Sequence, residues 1–239
     1  MGGPALTSFE HVFDHGWMAV TTVLPHRDAQ LQQLQERIAG MQDGVPRIPV
    51  ATHPALAGLL QLRTGGAYEV DSASLAMMLL AAPSQEGAWS AVIGAGDFGI
   101  EAAAELGVDL TRTVLVPDPG DQWLEATAAL VDVVTLVLLR PPPGVTERTA
   151  SRIAARLRKR SSALIAWGRW PGSEARLSLQ SSTWSGLDAG HGRLRSRRVT
   201  VAVRRGSAPA REAELWLPAE QGPVRRTAID LPIRSEALA

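Results

Sequence analysis

Residues 88–139 read AWSAVIGAGDFGIEAAAELGVDLTRTVLVPDPGDQWLEATAALVDVVTLVLL, and this stretch decides the fold class. Apolar runs at 88–93, 113–116 and 133–139 alternate with segments at 99–106 and 121–130 whose composition suits helices. Strands joined by helices at this spacing form a mostly parallel sheet with right-handed crossovers. The run VVTLVLL shows no in-and-out alternation, as expected of a strand covered on both faces. Upstream, 67–70 reads as a strand and 74–82 as an apolar helix. Downstream, 147–160 reads as a helix and 163–167 as a strand.

Beyond Pro171 the period changes. Segments 176–184, 197–205 and 212–217 alternate polar with apolar, with Val199, Val201 and Val203 on one face, and 206–209 is a turn signal. These segments predict an antiparallel meander appended to the parallel sheet. At the other end, 28–42 (DAQLQQLQERIAGMQ) places Leu31, Leu34, Ile38 and Met41 on one narrow helical stripe, with Asp28 as cap and Gly44 just past the end. That stripe suits a self-assembly arm, a partner-binding helix or packing on the chain's own sheet. Prolines 46, 49 and 54 predict an extended connector. The expected organisation is a flexible extension over 1–27, a helix and connector arm over 28–50, a core with its antiparallel extension over 51–217, and a tail over 218–239 that is a docking peptide or a loose end.

The chain has 239 residues, 45% of them hydrophobic, which is ample for one core. It has no cysteine, which excludes disulfide frameworks, thiol catalysis and cysteine–zinc sites. Its five histidines (His11, His15, His26, His53 and His191) form no metal-binding spacing. Acidic and basic residues balance at 24 each, yet residues 1–150 carry 17 acids and 7 bases, and residues 151–239 carry the reverse, 7 and 17. Such a split suits one end meeting something anionic, or the two halves attracting each other or a second copy. No apolar run approaches the roughly 18 residues that cross a bilayer. The first 17 residues lack a secretory pattern, and Met18 reads as an alternative start. The expectation is a cytoplasmic protein without membrane contact.

Three patterns bear on chemistry. Gly94, Gly96 and Gly99 follow a strand and open a helix, with Asp118 at the end of the next strand. Glycines there permit close backbone approach to a pyrophosphate and the acid holds a ribose, which is a dinucleotide-binding layout. The same residues better suit a strand-to-helix turn without a ligand, since this turn belongs to the second strand–helix unit and Asp118 lies between Pro117 and Pro119. A phosphate loop requires Gly-Lys-Ser/Thr, and after the 67–70 strand the chain reads Asp71-Ser72-Ala73-Ser74-Leu75. The single lysine, Lys159, lies far downstream. The 133–139 strand ends in Leu138, Leu139 and Arg140, without a magnesium-binding acid. Triphosphate hydrolysis is therefore not expected, and neither a metal nor a cofactor is. Finally, Arg193, Arg195, Arg197 and Arg198 follow His191, with Trp170 and Trp184 nearby in sequence. Arginines neutralise phosphates and tryptophans stack on bases or anchor interfaces. These residues read as a partner or DNA surface, or as a charged strand edge that resists pairing.

Leu106-Gly107-Val108-Asp109-Leu110, then 113–116, Pro119-Gly120-Asp121-Gln122 and 131–139 together resemble the central region of bacterial RecA recombinases. The fold so implied is RecA-like: a mostly parallel sheet flanked by helices, with an N-terminal helical arm and a C-terminal antiparallel β-meander. The nucleotide-handling positions depart from that family. Val70 to Leu75 stands where its P-loop would be, the 94–96 turn where its water-activating acid would be, Ala102 where its adenine-stacking tyrosine would be, and apolar residues near Val137 to Leu139 where its magnesium-side aspartate would be.

Within that superfamily, Trp170-Pro171-Gly172 and the segment from Gly190 to Val199 (GHGRLRSRRV) resemble the actinobacterial ImuA-prime accessory proteins of the mutasome. The resemblance implies a DNA-damage-induced, non-catalytic adaptor of error-prone translesion synthesis that joins the nucleoid on damage. Its partner would be the ImuB polymerase homologue, which bridges to the sliding clamp and an error-prone C-family polymerase. DNA contact and self-association are further expectations. The alternatives are a dinucleotide-dependent enzyme using Gly94, Gly96, Gly99 and Asp118, and a stand-alone single-stranded-DNA-binding RecA paralogue.

Overall fold

The computed structural model describes residues 46–188, 191–220, 222 and 224–227. The stripe of Leu31, Leu34, Ile38 and Met41 lies outside the described residues, as do residues 228–239. Strands β1 (Pro49–Val50) and β2 (Leu62–Arg63) form a small antiparallel ribbon. Then follow β3 (Ala67–Val70), α1 (Ala73–Gln85), β4 (Ser90–Ile93), α2 (Ile100–Glu105) and β5 (Thr113–Val116). Next come α3 (Trp123–Val131), β6 (Leu136–Leu139), α4 (Glu147–Arg160) and β7 (Ala163–Trp167). The last strands are β8 (Ala175–Asp188), β9 (His191–Arg204), β10 (Arg211–Trp216) and β11 (Arg225–Arg226).

Strands β3 to β11 form one sheet in the order β11-β10-β9-β8-β3-β7-β6-β4-β5. From β5 to β8 all neighbours are parallel, and β8 to β11 pair antiparallel. The parallel sheet with an antiparallel extension is the architecture the sequence predicts.

The two faces bury separate cores. One takes α1, whose residues from Leu75 to Ala81 are all buried, together with Leu56, Leu59, Leu62, Tyr68, Val70, Leu177, Val199, Val201, Val203 and Leu215. A helix apolar all round is buried all round. The Ser72 hydroxyl caps it, accepting the Leu75 N–H at 3.3 Å. The other face takes α4, through Ala150, Ile153 and Leu157, against Ala67, Val137, Leu139, Leu164 and Ala166. Helix α4 matches its predicted bounds because its punctuation is complete. Thr146 caps the start, accepting from Thr149 N–H at 3.2 Å, three bases fill the last turn, and Ser161 turns left-handed at φ 52°.

Several elements differ from expectation for local reasons. The strand expected over 133–139 begins at Leu136, because Val133 and Val134 donate back to the Leu130 carbonyl and close α3. The proline connector folds into the body: Val50 pairs with Leu62 and is buried, and Pro54 opens a 3-10 turn capped by His53 Nδ1. The sheet also continues past Leu217, where Arg225 and Arg226 pair with Trp216 and Leu215.

Asp132 at the end of α3 accepts from Arg156 Nε and Nη2, each at 2.6 Å, and pairs with Arg160. These hydrogen bonds, chiefly from Arg156, hold its carboxyl down to about 2. A depressed native pKa means that the unfolded chain binds the proton first, so this stabilisation is complete above about pH 4 and disappears as pH falls through about 2. Asp132→Asn should flatten that segment of the acid-unfolding curve, followed by circular dichroism, and leave the curve above pH 6 parallel to the parent's.

Candidate functional site

In parallel sheets, ligands bind outside the carboxyl ends of the strands. Here the strand ends are occupied by the chain's own groups. At the end of β3, Asp71 accepts the Leu179 N–H at 3.2 Å and ties β8 in place, while Ser72 caps α1. Two residues before Asp71, Glu69 is buried, accepts the Trp170 N–H at 2.7 Å, and lies 3.6 Å from Arg176. Gly168 N–H donates to the Val70 carbonyl at 3.0 Å. The segment after β7 is thus folded back over β3 by two hydrogen bonds.

At the end of β6, the Arg140 guanidinium binds Asp97 and stacks 4.5 Å over the Trp167 ring. That bond holds the Asp97 carboxyl below the usual carboxylate range. Gly94 has φ +72°, and a Cβ there would lie 2.8 Å from the Arg140 carbonyl oxygen. Its lack of a side chain is explained by packing against the β6 end. A Cβ on Gly96 would meet only the Pro117 carbonyl, at 3.8 Å. Gly99 begins a helix of six residues, and Asp118 is exposed beyond β5. Among the described residues no group of three or more His, Asp or Glu side chains is arranged to hold a metal ion.

The second candidate region is the distal half of β8 and β9. Strand β3 pairs with β8 only at Ala175, Arg176 and Leu177, and the β10 pairing with β9 stops at Arg198. Arg197 still donates its N–H to the Pro218 carbonyl and accepts the Leu217 N–H, and from Ser185 and Ser196 outward the two long strands pair with each other alone. Both are longer than the sequence predicts. The alternation that marks a half-buried strand ends where the ribbon leaves the core, so 186–192 reads as a loop. Gly186 and Gly192 sustain the pairing, since a Cβ on Gly186 would land on the Arg193 carbonyl oxygen and one on Gly192 on the Gly186 carbonyl. Opposite Gly186, β9 carries three residues, Arg193, Leu194 and Arg195, in a wide bulge.

The structure separates the residues grouped in sequence. Trp184 is 45% exposed and stacks on Arg197 at 5.5 Å. Arg197 also donates to Ser182 at 2.7 Å and reaches Ser74 in the first turn of α1 at 3.3 Å, so it anchors the ribbon root. His191, Arg193, Arg195 and Arg198 are exposed. Trp170 does not belong to this surface. It is 2% exposed and packed with the α4 core, because its backbone is drawn in by Glu69. Leu187 and Leu194, exposed at 58% and 50%, join the ribbon surface and were not among the sequence candidates. No periodic signal in the sequence marks them, because the alternation ends before Gly186.

Charge follows the strand order. From Asp97 to Asp132, at the β5 margin, there are eight acids and one base, Arg112. From Arg176 to Arg226, at the opposite margin, there are ten bases and four acids.

The chain is 32% identical over 157 residues to the mycobacterial "Uncharacterized protein Rv3395c" of Mycobacterium tuberculosis, an alignment that covers 63% of this chain and 72% of that protein. The chain belongs to the family of that protein. The family described as MT3502 N-terminal domain matches residues 55–172, which run from the 3-10 turn before β2 to the segment folded back after β7. The match to the MT3502 N-terminal domain therefore holds the occupied strand ends and stops before the β8–β9 ribbon. Among the described residues, no helix is long and apolar enough to cross a membrane.

Proposed function

We propose that this chain is a RecA-like adaptor without catalytic residues, acting in error-prone translesion synthesis by binding an ImuB-type polymerase homologue. The observation that carries this reading is where the side chains at the strand ends go. Asp71 and Ser72 serve the β8 pairing and the α1 cap, and the Arg140–Asp97 pair occupies the space between the β4 and β6 ends. A triphosphate site requires a cation and a hydroxyl left available to phosphate and magnesium. These positions instead hold the sheet together, which suits a scaffold that works through its surface.

The parallel core followed by an antiparallel extension agrees with the RecA resemblance, and relationship to a mycobacterial protein agrees with the actinobacterial distribution of ImuA-prime proteins. The exposed ribbon gives such a scaffold a protruding surface to present. Co-purification of the full chain with a polymerase homologue of the ImuB type, with ATP and single-stranded DNA titrated on the same sample, tests the proposal. The expected result is a stable complex and no nucleotide turnover. Turnover of a nucleoside triphosphate by the pure chain, or failure to retain the polymerase homologue, overturns it.

A further inference from the structure

We infer that the distal β8–β9 ribbon is a duplex-DNA contact that enters a groove and grips the phosphates on either side. This contact is independent of the polymerase partner proposed above. Its first support is shape. From Ser185 outward the ribbon has no other strand beside it, and it runs to Asp188 on one side and back from His191 on the other. At about 3.3 Å per residue that is roughly 13 Å of ribbon, the length of about four base pairs. A two-stranded ribbon is one of the two elements that the major groove, about 12 Å wide, admits.

The second support is chemistry. Arg193, Arg195 and Arg198 are exposed and make no ion pair among the described residues. Arg197 pairs with Trp184 and Arg198 with Thr183 across the ribbon, so the two arginines point to opposite faces. Arg193 and Arg195 protrude at the bulge beside Gly186. Between Arg176 and Glu212 the one acid is Asp188, while Thr183 and Ser185 add exposed hydroxyls. Cations and hydroxyls on both faces, with no glutamate among them, are the groups that contact phosphate and sugar.

A protein interface would place a packed aromatic anchor at its centre. The ribbon's tryptophan instead lies at the root, stacked by its own Arg197. A single strand would be held by stacking platforms along a groove. The distal ribbon, from Ser185 to Asp188 and His191 to Ser196, carries no tryptophan, tyrosine or phenylalanine.

The test is fluorescence anisotropy of the full chain with a labelled 24-base-pair duplex of arbitrary sequence and with its single strand, from 50 to 200 mM salt. Duplex binding should weaken with a log–log salt slope of about −3. Arg193→Gln/Arg195→Gln/Arg198→Gln should lose about tenfold or more in affinity and about two to three units of slope, with an unchanged melting temperature. Arg148→Gln/Arg152→Gln, on the exposed face of α4, should stay within about twofold of the parent. Absence of duplex binding at 50 mM salt overturns the inference. So does an equal loss from the α4 pair, which would mean diffuse attraction, and so does tighter binding of the single strand. If the ribbon triple variant releases the polymerase homologue and the parent binds no DNA, the ribbon is a protein surface. The DNA contact then fails while the adaptor function stands.

Discussion

Trp170→Ala should destabilise the protein by about 3–5 kcal/mol, the range for removing a large buried aromatic. Trp170 is 2% exposed and packs with Ala150, Ile153, Leu157 and Ala166 between α4 and the sheet. Its N–H to Glu69 is a backbone bond and survives the substitution, so the cost is cavity and lost burial. A midpoint drop on the order of 10 °C is expected, read by thermal melting. Trp184→Ala should move stability by no more than about 0.5 kcal/mol, since that ring is 45% exposed on the ribbon. The pair of measurements separates two tryptophans that look alike in sequence. Equal effects would mean that the segment after β7 is not folded back over β3 as described.

Gly94→Ala is the second large effect, about 2–4 kcal/mol of destabilisation. Gly94 adopts φ +72°, where an added Cβ is strained, and that Cβ would sit 2.8 Å from the Arg140 carbonyl oxygen. Relief requires the β6 end to move, which disturbs the Arg140 N–H bond to Ile93 and the Arg140–Asp97 pair. Gly96→Ala should be nearly neutral, because its Cβ has a 3.8 Å neighbour and open space beyond. Urea unfolding of both variants, with NADH titrated into the parent by fluorescence, gives the discriminating result. Destabilisation at Gly94 alone, without dinucleotide binding, assigns the glycine turn to packing. Saturable NADH binding that both substitutions abolish would assign it to a ligand.

The sequence carries the parallel layer well, and the reasons are physical. The strand at 113–116, the helix at 147–160 and the strand at 163–167 lie at their predicted bounds, because continuous apolar runs and complete caps are local signals. The ribbon was half legible. Val199, Val201 and Val203 alternate against α1, but His191 to Arg195 is exposed throughout and has no buried face to impress a period on it, and Gly186 and Gly192 read as turn residues although they serve close strand approach. The candidate site divides the same way. Arg193, Arg195 and Arg198 are exposed, as basic residues without ion pairs among the described residues should be, whereas the burial of Trp170 depends on Glu69, 101 residues away, accepting its N–H. No sequence window contains that pairing. The long connection also explains Glu69 itself: a buried acid on the central strand is a fastener for the β7–β8 crossing.

The opposed charge of the two sheet margins has a consequence for encounter. Among the described residues, a sheet that is negative along β5 and positive along β8 to β11 contributes an electric dipole lying in its own plane. Near a polyanion it experiences a torque before it touches anything, and it rotates until the arginine-bearing margin leads. With a screening length of about 8 Å at physiological salt, that torque acts within the last molecular diameter of approach. Among the described residues, strand order thereby sets which sheet margin turns toward an anion, without any contact being made.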